Sequence, residues 1–289
     1  MAPTFGRSIS FPLSPARSSS KAAARHVRSI SLPSSRAHPL LAHLHNTTRA
    51  LRAWLAADPA SSPASGLAHI DALHAALAEL LLLPEARAAL STGSATADCL
   101  LDGFLVLADA HGAFQEALLD LKGHVADAQA ALRRRDAARL ASAVRAQRHA
   151  EKDLARLAYS VRAAARFPQL AGSPSTVAEV EVSGVLAEAV AAIASASAAV
   201  FSAVESLSSA ATAAAASSSK KSATTLIHLV KRTTNKAAAS YDEEKEIVAL
   251  ERLEDLDECI AEMEAGSDKV FRSILHTRVA LLNIHTQTC

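Results

Sequence analysis

The sequence predicts an all-α protein: an antiparallel helical bundle with a disordered basic N-terminal arm and a C-terminal helical hairpin. Three observations predict it. Half of the 289 residues are hydrophobic but only 3% are aromatic, and Ala and Leu supply most of the rest, which favours helix packed on helix over sheet. Apolar residues recur at steps of three and four, the period of a buried helix face. Residues 1–38 are rich in Ser, Pro and Arg and hold too few apolar side chains to offset the entropy of ordering.

After the arm, a first helix is expected from His38 to Ala57, with Leu40, Leu41, Leu44, Leu51, Trp54 and Leu55 on or near one face. Asp58-Pro59 and Ser61-Ser62-Pro63 break it. Leu67 to Leu83 carry a second stripe (Ile70, Leu73, Leu77, Leu80, Leu81), and Pro84 opens a turn leading to Leu90. A long helix follows, capped by Ser94 or Thr96 and running through Leu100, Phe104, Leu107, Leu118, Leu121, Val125 and Leu132, with His111-Gly112 as a weak point. Residues 133–166 read as a basic helix, ten Arg or Lys against Asp136, Glu151 and Asp153.

Phe167-Pro168 to Pro174 is the clearest internal boundary. It divides an N-terminal helical region (39–166) from a C-terminal one (176–289) in the same bundle, with 167–175 as linker. Residues 176–216 are mostly Ala, Ser and Val, and Ala189 to Val204 is free of charge for sixteen residues. A membrane span needs about 20 strongly apolar residues; a helix buried at close helix–helix contacts explains the small residues as well. A basic connection (217–240) leads to an acidic helix, 241–264. Gly266 fits its C-terminal cap, and a last helix starts at Ser267 or Asp268 with the stripe Val270, Phe271, Ile274, Leu275, Val279, Leu282.

The formal charge of +1 conceals an uneven distribution. Residues 1–57 hold eight Lys or Arg and no Asp or Glu, whereas residues 242–264 hold eleven Asp or Glu against Lys245 and Arg252. Three distant cysteines (Cys99, Cys259, Cys289) show no C-x-x-C spacing and read as reduced thiols of an intracellular, cytoplasmic protein. The acid-free, Arg- and Ser-rich N-terminus also fits a plastid transit peptide, the alternative localisation beside membrane association.

The arm carries the most specific local signal. Arg7-Ser8-Ile9-Ser10-Phe11-Pro12 returns as Arg28-Ser29-Ile30-Ser31-Leu32-Pro33. Each copy sets Arg three residues before a Ser and Pro two after it. Basophilic kinases select that Arg, and phosphoserine adaptors of the 14-3-3 type read the phosphorylated hexapeptide through an Arg cluster. Arg7, Ser10, Pro12, Arg28, Ser31 and Pro33 are therefore the candidate phosphorylation and docking residues. The bland alternative is a duplicated low-complexity stretch.

Nothing in the pattern resembles a catalytic site: no Gly-rich phosphate loop, no H-E-x-x-H, no G-x-S-x-G. No cofactor or metal is expected, and the chain does not read as an enzyme. His43 and His45 lie two apart, on different helix faces, and each His reads as a surface or half-buried polar contact. Arg145, Arg148, Lys152 and Arg156 make one charged stripe. Its first reading is a solvated face, its second a partner for the acidic helix within the bundle, its last an anionic surface. Few rings are left for base stacking, so nucleic acid is not an expected partner.

Three stretches together resemble a plant-specific family, domain of unknown function 241, related in name to BYPASS-type proteins. They are Arg28-Ser29-Ile30-Ser31-Leu32-Pro33-Ser34-Ser35-Arg36-Ala37-His38-Pro39-Leu40; the run from Leu83-Pro84 through Leu101-Asp102-Gly103 to Arg133-Arg134-Arg135; and Leu256 to Ile260 with Val270 to Ile284, the most specific. The resemblance spans roughly residues 28–289. It implies a helical plant protein tied to root and shoot development, and it brings no catalytic residues. The expected function is that of a non-enzymatic regulatory protein that binds other proteins; a membrane-associated protein held by its basic and Ala-rich helices is the alternative.

Overall fold

A computed structural model describes residues 38–91, 94–164, 177–219 and 235–286. They form seven helices and no strand: α1 (Pro39–Ala56), α2 (Pro63–Leu80), α3 (Pro84–Ala89), α4 (Ala95–Arg133), α5 (Ala137–Ala164), α6 (Val177–Ser219) and α7 (Asn235–Thr286). The expected all-α bundle is what the chain builds.

Local chemistry sets the boundaries. Pro63 and Pro84 occupy the first turns of α2 and α3, where the missing N–H costs nothing. Ser94 caps α4 by accepting from Ala97 N. Between α4 and α5 the chain reverses in three residues. Arg135 takes a left-handed backbone (φ 54°); its N–H bonds to Leu132 O and the Asp136 N–H to Ala131 O, the Schellman pattern. Asp136 then caps α5, its Oδ1 accepting from Ala138 N and Arg139 N at 3.1 and 3.0 Å.

Side-chain pairs fix helix directions. Asp98 with His285 (3.6 Å), Lys122 with Glu264 (2.9 Å) and Arg133 with Glu254 (3.5 Å) run α4 antiparallel to the Glu254–His285 part of α7. Thr96 with Ser183 and His111 with Ser197 make α4 and α6 parallel. Glu151 with Ser208 and Arg162 with Ser202 make α5 and α6 antiparallel, and Asp71 with Ser273 and His74 with Thr277 make α2 and α7 parallel. α6 packs on α2, α3, α4, α5 and α7 and is the centre of the bundle. α1 buries Leu41, Leu44 and Leu51 in the core, and its Arg52 pairs with Glu188 of α6.

The expected C-terminal hairpin does not form. α7 is one 52-residue helix that continues through Gly266. Gly266 lacks the left-handed backbone that a cap requires, and an added Cβ there would meet Leu67 at 3.0 Å. Gly266 thus admits the close approach of α2, not a turn. The buried series Met263, Ser267, Val270, Ile274 keeps helical spacing across it. His111-Gly112 does not break α4 either. His111 is fully buried, and the helix there is held by its neighbours' packing, which outweighs the propensity of one glycine.

Candidate interaction faces and buried polar sites

Arg7, Ser10, Pro12, Arg28, Ser31 and Pro33 all lie outside the described residues. The described bundle offers two other kinds of site: charged faces on its outside and polar clusters in its core.

The basic stripe of α5 is a solvated face: Arg145, Arg148, Lys152 and Arg156 are all exposed. Of these, Arg156 pairs with Asp153 on its own helix; Arg145, Arg148 and Lys152 take part in none of the ion pairs among the described residues. Docking of this stripe on the acidic helix within the bundle does not occur. α5 and α7 form no packed pair, and each packs on α4 and α6 instead. The cations that do reach α7 are Lys122 of α4 and, at the reversal, Arg133 and Arg135, the last on Glu246 at 3.5 Å. These pairs are exposed and worth little each. The α7 face with Glu251, Asp255, Glu258 and Glu262 points to solvent.

Two polar clusters sit inside. The first joins α5 to α6: Gln147 Nε2 donates to Ser208 Oγ (3.2 Å), and Ser208 and Thr212 both donate to Glu151 Oε1, at 2.9 and 2.5 Å. The second is a pair of imidazoles. Thr277 donates its hydroxyl to Ser273 O (2.9 Å), so it accepts from His74 Nδ1 at 3.0 Å, leaving His74 Nε2 as a bare lone pair without a partner. His111 Nε2 meets Ser197 Oγ at 2.9 Å, and its Nδ1 is likewise unpartnered. Phe104 leans on His74, and Phe201 meets His111 edge-on while stacking on Phe114 at 4.3 Å. Burial pushes both imidazoles from an ordinary 6.5 down to about 3, His74 adding to the effect on His111. They are neutral in the folded protein near neutral pH.

These clusters escaped the sequence reading, which placed every His at the surface or half-buried. A signal existed. His74 falls between Leu73 and Leu77 on the α2 stripe, and His111 lies seven residues after Phe104 and three before Phe114. Gln147 and Glu151 likewise fill the gap between Val144 and Leu154 on the apolar stripe of α5. Among the described residues no group of three His, Cys, Asp or Glu is placed to hold a metal ion. Cys99 and Cys259 are free and half-buried. Burial, then Asp102 for Cys99 and Glu262 for Cys259, raises both thiols and disfavours the nucleophilic thiolate.

α6 is long and apolar enough to cross a membrane: within Val180–Ser218 a window of 18 residues reaches a mean hydropathy of 1.8. In this bundle 67% of that window is buried, with Ala189, Ile193, Ala196, Val200, Phe201 and Val204 at 0% exposure. Its small residues serve close approach by five neighbours.

The family model described as Protein BPS1 matches residues 66–284, from the start of α2 to the end of α7. This chain belongs to that family. It is the domain-of-unknown-function 241 family that the C-terminal run resembles. The matched range takes in the second and third stretches of resemblance and leaves Arg28–Leu40, with Ser31, outside it. No curated protein and no solved structure matches the chain.

Proposed function

We propose that this member of the BPS1 family is a non-enzymatic regulator of plant development that works by binding other proteins. Its N-terminal arm docks phosphoserine adaptors of the 14-3-3 type when Ser10 and Ser31 are phosphorylated. The observation that carries the reading is the repeated Arg-Ser-Ile-Ser-x-Pro at residues 7–12 and 28–33. Each phosphate adds about −1.5 to −2 charge to an arm otherwise free of acids, creating a site for an Arg cluster. The two serines lie 21 residues apart, a span of up to about 70 Å when extended. One dimeric adaptor then takes both, with a gain on the order of 100-fold from effective concentration. The developmental role is supported by family membership alone.

The test is recovery of adaptor from phosphatase-inhibited plant extract with wild-type chain, Ser31→Ala, Ser10→Ala and the double variant. Recovery falls most in the double variant. Equal recovery by all four forms contradicts the reading.

A further inference from the structure

We propose that the outer face of α5 docks, antiparallel, on the outer face of α7 of a second copy of this chain. This proposal does not rest on the phosphoserine reading.

The two faces are complementary in sign and in spacing. On α5, Arg145, Arg148, Lys152 and Arg156 follow one another at steps of three, four and four, and the stripe ends on Tyr159, 76% exposed. On α7, read backwards, Glu262, Glu258, Asp255 and Glu251 follow at steps of four, three and four, and the stripe ends on Val248 and Ile247, 43% and 56% exposed. Arg145 and Tyr159, like Glu262 and Val248, lie fourteen positions apart, about 21 Å of helix at 1.5 Å per residue. Laid antiparallel, each cation meets a carboxylate, and Tyr159 covers the apolar pair. Laid parallel, Tyr159 falls beside Glu262 and Arg145 beside Val248. The parallel alignment keeps Arg148 beside Glu251 and Lys152 beside Asp255 but loses the Arg145 pair and the apolar contact of Tyr159, so the ends of the two stripes select the antiparallel register.

The faces cannot meet within one molecule. α5 and α7 occupy opposite corners, each packed on α4 and α6. They also run in the same direction, since both are antiparallel to α4. A neighbour turned end over end presents the antiparallel partner. Because the two faces differ and point apart, the contact is heterologous and leaves one basic and one acidic face open at the ends. Copies therefore add into open chains and do not stop at a closed dimer.

The experiment is sedimentation velocity of the full chain at about 20 mM and about 500 mM salt, where the screening length drops from roughly 20 Å to under 5 Å. Wild type should grow in size with concentration at low salt and revert to monomer at high salt, the association weakening at least about tenfold. The variants Arg145→Glu/Arg148→Glu/Lys152→Glu and Glu251→Lys/Glu258→Lys/Glu262→Lys should each be monomeric in low salt. Mixed together they should associate again, because each then presents the charge the other lacks. Where a reversal fails to give the native helical signal, the corresponding alanine triple replaces it and should be monomeric.

A wild-type chain that stays monomeric at low salt overturns the proposal, as does a folded α5 variant that associates like wild type, or folded variants that stay apart on mixing. Should wild type stay monomeric yet bind phosphatidylserine vesicles that the α5 variant does not, the face belongs to an anionic membrane, and the proposal is likewise overturned.

Discussion

α6 and α7 are antiparallel neighbours and the two longest helices, 43 and 52 residues, yet they are built on opposite principles. α6 is surrounded by α2, α3, α4, α5 and α7 and keeps its contacts close with Ala and Ser. α7 buries a single stripe, from Ala249 through Leu253, Ile260 and Ile274 to Ile284, and turns carboxylates outward. The difference teaches that apolar content alone does not say what a helix faces. The composition that makes α6 resemble a membrane span is the composition of a helix with neighbours on every side. α6 supplies the interior, and α5 and α7 turn their charged stripes outward.

The sharpest break between the two helices is a cavity in α6. Phe201 is fully buried, stacked on Phe114 and edge-on to His111. Phe201→Ala should cost about 3–5 kcal/mol by urea unfolding, a loss no outward residue of α7 can match.

Acid should act almost as strongly, through the same core. His74 and His111 bind protons more weakly folded (about 3) than unfolded (6.5). Their neutral burial therefore contributes stability in full above pH 6.5, and it is lost as pH falls from there toward 3. The slope is about 1.4 kcal/mol per pH unit for each histidine, so about 2 kcal/mol apiece should disappear between pH 7 and pH 5. Urea midpoints at the two pH values check it; an unchanged midpoint contradicts neutral burial.

A smaller effect is expected where α1 meets the body. A Cβ on Gly66 would come within 2.4 Å of Trp54 and 2.8 Å of Val200 of α6. Gly66→Ala should cost about 1–3 kcal/mol through overpacking, even though Ala is the better helix former. On the outside of α7, Glu258→Lys should leave the unfolding midpoint unmoved, since exposed substitutions away from special features rarely register.

Most helices were legible because apolar spacing and Pro, Ser and Asp signals agree locally. Leu44, Leu51, Ile70, Leu73, Phe104, Leu121 and Leu154 all fall in the core that their spacing predicts. The misreadings have a common cause. A local rule makes Gly266 a cap, but a glycine serves equally where another helix comes close, and only Leu67, 199 residues away in sequence, decides which. The same holds for His74, whose partner Thr277 lies on α7. The basic stripe of α5 faces solvent, as its charge pattern predicts, but the cations that touch α7 sit on α4 and the α4–α5 reversal, an arrangement fixed by which helices are neighbours. The docking proposed for Ser10 and Ser31 stands on the repeated hexapeptide of the arm.

The most direct test of the functional account is the affinity of a peptide of residues 1–40 for a 14-3-3-type dimer, unphosphorylated, phosphorylated at Ser10 or Ser31 alone, and phosphorylated at both. The account predicts no binding without phosphate, weak binding with one and a gain on the order of 100-fold with two. Absence of binding in every form would contradict it and leave recognition to the bundle's charged faces.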